Sequence, residues 1–72
     1  MQKQYNIFGV RLRQIREKMG LSQEEFGSIF GITKQAISRY ERSERSPKLT
    51  VAVEFANKLN VSLSYLAGKS DE

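Results

Sequence analysis

Apolar residues recur along this chain at the three- and four-residue spacing of helices, and short polar turns separate the stripes. Phe8, Leu12, Ile15 and Met19 form the first stripe, which predicts a buried face on a helix from a cap at Asn6 to about Met19. Gly20 closes that helix. Ser22 starts the next one, with Glu25 placed to complete a capping box and Leu21 spaced from Phe26 as a hydrophobic staple. Gly31 ends it, because glycine enters the left-handed region without steric cost. Thr33 repeats the start signal, with Ile32 and Ile37 as a second staple. Two starts this close leave room only for helix, turn, helix. Phe26, Phe30, Ile32, Ile37 and Tyr40 then share one interior. A fourth helix is predicted from about Leu49 to Leu59, with Leu49, Ala52, Phe55, Ala56 and Leu59 inward. Ser62 caps a last short helix, Val61 packs against Leu66, and Gly68 stops it.

The pattern is all-α: five helices in residues 1–72, with a frayed arm over Met1–Tyr5 and an unordered tail over Lys69–Glu72. No internal repeat, low-complexity segment or linker divides them. Gly27 falls where the two central helices cross, and a small residue there allows close approach. Alanine is expected to serve equally and to favour the helix by about 1 kcal/mol. Ile29, Val51, Val53, Leu63 and Tyr65 fit no inward stripe, so any of them that share a face form a patch suited to a partner.

Composition narrows the chemistry. The absence of cysteine excludes disulfides and thiolate metal sites, and the absence of histidine removes the commonest general base and metal ligand. No cofactor or metal is expected. No apolar run spans a bilayer and the start does not resemble a signal peptide, so a cytoplasmic location without membrane attachment is the expectation. A net charge of +4 suits a polyanionic partner. The outward face of the third helix, Lys34, Gln35, Ser38, Arg39 and Arg42, contains no acid. Lysine and arginine can donate to guanine O6 and N7, and glutamine can pair with adenine N6 and N7 in a major groove. Arg42, Arg45 and Lys48 face the single acid Glu44 in the following loop, a composition suited to phosphates. A merely solvated surface is the bland alternative for each of these residues.

The segments RLRQIREKMGLSQEEF, YERSERSP and NVSLSYLAG, with the central helix pair, resemble the Cro/cI-type phage repressors, also called the XRE family. The resemblance covers roughly Phe8 to Gly68. It implies a compact five-helix lambda-repressor-like domain with its helix-turn-helix at helices two and three. It further implies base contacts from Thr33, Lys34, Gln35 and Arg39, and backbone contacts from Gln23 and Lys48, to which Ser38, Arg42 and Arg45 are added from their position. An ion pair of Arg16 with Glu41 is also implied. The family usually has glycine where Ser43 stands, so this serine must enter the left-handed region or the helix must end differently. It tends to carry a larger residue at Ala52, a space Phe30 and Phe55 can fill. Related proteins often dimerise near the C-terminal helix, which here implies a homodimer through Lys58–Leu66, with Val61, Leu63, Tyr65 and Leu66 at the interface. The implied function is a sequence-specific regulator of transcription, a repressor on a near-palindromic operator in double-stranded DNA. No small-molecule effector is expected.

Three rivals are weighed against it. Catalysis would have to rest on Glu17, Glu24, Glu25, Glu41, Glu44 and Glu54, which are more simply caps, ion pairs and helix surface; the chain is not expected to be an enzyme. An antitoxin that binds both a toxin and its own promoter can use the same fold. A membrane-surface role for the basic first helix is weaker, since the core already needs its apolar stripe.

Overall fold

The computed structural model describes residues 7–69, so the proposed Asn6 cap, the arm and residues 70–72 of the tail lie outside it. Five helices follow one another: α1 (Ile7–Lys18), α2 (Gln23–Phe30), α3 (Lys34–Glu41), α4 (Leu49–Leu59) and α5 (Leu63–Leu66). Among the described residues, none is long and apolar enough to cross a membrane.

Local chemistry sets the starts. The Ser22 hydroxyl accepts from the Glu25 amide at 3.0 Å, and the Ser22 amide donates back to the Glu25 carboxylate at 2.9 Å. That backbone donor holds the Glu25 carboxyl below its ordinary range. Thr33 accepts from the Ala36 amide at 3.1 Å, and Ser62 from the Tyr65 amide at 2.9 Å. The stops are left-handed residues: Gly20, Gly31 and Gly68 as expected, and also Ser43 at φ 61° and Asn60 at φ 57°. Asparagine is the non-glycine residue that tolerates this conformation best. Serine bears the strain of entering it.

The core is an aromatic cluster centred on Phe55, which is fully buried. The rings of Phe30, Phe8, Tyr40 and Phe26 stand 4.5, 5.8, 6.0 and 6.4 Å from it, centre to centre. Leu12, Ile37 and Leu66 complete the buried set, with Ile15, Leu21, Ile32, Val51, Leu59 and Val61 packed against it. α4 thus supplies the central ring, while the helix pair and α1 close around it.

Several expectations fail here for geometric reasons. Met19 is 45% exposed, because α1 ends at Lys18 and the following residue turns away from the stripe. Leu49 is 70% exposed. Side chains lean toward the helix N-terminus, so the first residue of α4 overhangs the loop rather than the core. Val51, set aside as unmatched, packs against the core instead. Leu66 is wholly inside the monomer and has no surface to offer a second copy. The expectation that alanine would serve equally at Gly27 is also overturned. A Cβ at Gly27 would sit 2.3 Å from the carbonyl oxygen of Ile32, and one at Gly9 would sit 2.3 Å from that of Tyr40. Neither obstacle is a flexible side chain. Glycine at both points is a requirement of close packing between α1, α2 and the turn and end of α3.

Two outcomes are expected. Gly27→Ala should lower stability in denaturant unfolding by about 1–3 kcal/mol, the usual range for overpacking, where helix propensity alone predicts a gain. The Glu25 carboxyl titrates lower folded than unfolded, so its contribution is present above the ordinary carboxylate range and is lost as pH falls through the folded value. The stability gap between wild type and Glu25→Gln should therefore be widest near neutral pH and should close in acid.

Candidate nucleic-acid interface

Burial of Ile37 and Tyr40 fixes the rotation of α3, and Ala36 adds a half-buried methyl on the same side. The opposite side therefore faces water. Lys34, Gln35, Arg39 and Arg42 are exposed, and Ser38 is half-buried. With Gln23 from the start of α2 they line one shallow concavity of about 300 Å³. Its rim is made of donors and amides, with no carboxylate among the lining residues. Thr33 stands exposed at the head of α3 with its hydroxyl committed to the cap, leaving its methyl for apolar contact.

Behind this face lies Glu41, the buried charged residue of the described chain at 8% exposure. Its carboxylate receives Arg16 Nε at 2.6 Å and Arg16 Nη2 at 3.0 Å, a two-pronged pair of the strong kind. A third donor is Gln23 Nε2 at 3.1 Å, a partner that sequence spacing did not indicate. Arg16 Nη1 also donates to the Leu21 carbonyl at 2.9 Å. The hydrogen bond to Glu41 raises the Arg16 guanidinium above its ordinary pKa, so it stays charged at any working pH. One carboxylate therefore ties the end of α3 to α1 and to the first residue of α2, and Arg16 in turn ties α1 to the turn before α2.

The loop after α3 is less uniform. Arg42 pairs with Glu44 at 3.0 Å on open surface, a bond worth under about 1 kcal/mol that a phosphate could displace. The Arg45 guanidinium lies 5.7 Å from the Tyr40 ring centre, covering the core from outside. Lys48 is exposed at the cap position of α4 and makes no side-chain cap bond. Of these three cations Arg42 lines the concavity with Lys34 and Arg39, whereas Arg45 and Lys48 are not among its lining residues. At the far C-terminal side, Leu63 is exposed, Val61 is half-buried, and half-buried Tyr65 carries the Arg11 guanidinium 4.2 Å above its ring.

The helix-turn-helix family model matches residues 12–66. The chain belongs to that family, in its XRE branch. This helix-turn-helix domain is 36% identical over 63 residues to the HTH-type transcriptional regulator ImmR of Bacillus subtilis, covering 88% of the chain and 50% of the relative. It is 35% identical over 60 residues to the SPbeta prophage-derived uncharacterized regulator YonR of the same organism, covering 83% of the chain and 56% of the relative. The chain spans about half the length of these two relatives. Among solved structures it resembles the P22 c2 repressor in complex with a synthetic operator, at TM-score 0.80 and 31% identity over 94% of this chain and 100% of that one. It also resembles the restriction-modification controller protein C.AhdI of Aeromonas hydrophila, at TM-score 0.74 and 31% identity over 85% and 88% of the two chains.

Removing one partner of a buried ion pair leaves the other charge uncompensated. Arg16→Met should accordingly cost this helix-turn-helix domain about 3–5 kcal/mol in thermal or denaturant unfolding. Replacing Arg16 and Glu41 together by apolar residues should cost less than Arg16→Met alone.

Proposed function

We propose that this chain is a transcriptional regulator that binds double-stranded DNA by setting α3 into the major groove. The observation that carries this is the face of α3. Its inner side is locked into the core, and its outer side offers Lys34, Gln35 and Arg39 together with no acid beside them. Lys34 and Gln35, in the first turn, reach base edges; Arg39, one turn on, reaches guanine on the same strand of contacts; Thr33 meets a thymine methyl. Gln23, Ser38, Arg42, Arg45 and Lys48 hold the flanking phosphates. The likeness to the P22 c2 repressor, solved in complex with a synthetic operator, supports the reading that DNA is the partner.

The working unit on DNA is a homodimer, because one domain of this size buries little surface and gains avidity by pairing. Val61, Leu63 and Tyr65 are the interface residues with surface left to share. Two recognition helices then enter successive major grooves about 34 Å apart, on a near-palindromic operator. Occupying a promoter in this way represses it. The DNA-binding reading is preferred over an antitoxin's toxin grip because the exposed apolar residues are dispersed along α1, α2, α4 and α5 while the cations and amides converge.

Selection from random duplexes with the purified protein tests the whole proposal. It should recover half-sites in inverted repeat, about one helical turn apart between centres; a single unrepeated motif would refute pairing, and no enrichment would refute DNA recognition. Against the recovered duplex, Lys34→Ala or Gln35→Ala should cost roughly 1–3 kcal/mol and relax the sequence preference. Lys48→Ala should instead weaken binding to every sequence alike and flatten its salt dependence.

A further inference from the structure

Resting on the DNA-binding proposal, we infer that Glu41 is a positioning residue for DNA contact, acting through the side chain of Gln23. A carboxylate can only accept hydrogen bonds, whereas a glutamine amide has a donating end and an accepting end. Contact at 3.1 Å between the two therefore forces the nitrogen of Gln23 to face Glu41. Its oxygen is thereby fixed on the other side. One N–H is spent on Glu41, while the second N–H and the carbonyl oxygen remain for the concavity that Gln23 shares with Lys34, Gln35 and Arg39. The second N–H is the group that can donate to a phosphate oxygen; without Glu41 the amide could turn over and set its carbonyl oxygen in that place instead.

Glu41 suits this task because it cannot itself move. Arg16 grips both of its oxygens, and it is buried at the junction of α1, α2 and α3. Gln23, half-buried at the first position of α2, extends from that anchor to the surface. The chain of contact runs from a rigid interior charge to a groove-lining amide in a single step.

Electrostatics makes the inference separable from a general charge effect. Removing a negative charge close to a polyanion should, by Coulomb's law alone, tighten binding. Positioning predicts the reverse. Glu41→Gln keeps size and hydrogen-bonding atoms but ends the enforced orientation, since the new amide can face Gln23 with either end. On the duplex recovered by selection, with the folded fraction checked by circular dichroism, this variant should bind roughly three- to tenfold more weakly, the worth of one hydrogen bond. In a Gln23→Met background, which keeps chain length and removes the amide, the same change should weaken binding no further. Equal losses in both backgrounds, no loss, or tighter binding would overturn the inference. A second measurement needs no variant: in the wild-type protein bound to that duplex, the Gln23 side-chain amide protons should be resolved and slow to exchange. Rapid averaging there would overturn it as well. If the wild type binds no duplex, the DNA-binding proposal falls first; if it binds and the two substitutions act independently, only the role of Glu41 falls.

Discussion

A single buried carboxylate holds the working half of this molecule together. Glu41 ends α3, yet its oxygens are occupied by Arg16 of α1 and Gln23 of α2. Placing an ion in an interior is unfavourable unless it is fully hydrogen-bonded, and replacing such pairs with apolar groups often stabilises a protein. Their value is geometric. Three donors converging on one group permit one arrangement of three helices, whereas apolar contacts alone tolerate small slides. For a helix that must enter a groove of fixed width, such slides matter.

The aromatic cluster does the complementary work from the other side. Phe55 touches rings contributed by α1, α2 and α3, so α4 acts as a post against which the helix pair is set. Close approach is then required at two places, and glycine stands at both: Gly9 beside the Tyr40 carbonyl, and Gly27 beside the Ile32 carbonyl. These are the points where α3 and the turn leading into it meet their neighbours backbone to backbone. Rigid positioning of the outer face, with Lys34, Gln35 and Arg39, follows from the tightness of the inner one.

Helix starts were readable from the chain because capping is a local event. Ser22 with Glu25, and Thr33 and Ser62 with the amides three residues on, need no distant partner. Cations on the outward side of α3 were equally readable, since helical periodicity assigns Ile37 and Tyr40 to one side and Lys34, Gln35 and Arg39 to the other. Positions next to helix ends were misread. Met19 and Leu49 continue an apolar stripe in sequence, but Met19 lies just past the end of α1 and Leu49, at the first position of α4, leans over the preceding loop. Asn60 showed its role as a stop only through its backbone angle.

The amino-acid order by itself therefore determined how many helices form, where they begin, and which face of each is apolar, because all three depend on neighbours within about four residues. Tertiary structure alone decided which glycines are indispensable, which apolar residues remain on the surface, and what Gln23 touches. Those outcomes depend on distances between atoms far apart in sequence: 18 positions separate Gln23 from Glu41, and no local pattern encodes a contact that exists only once three helices have closed around it.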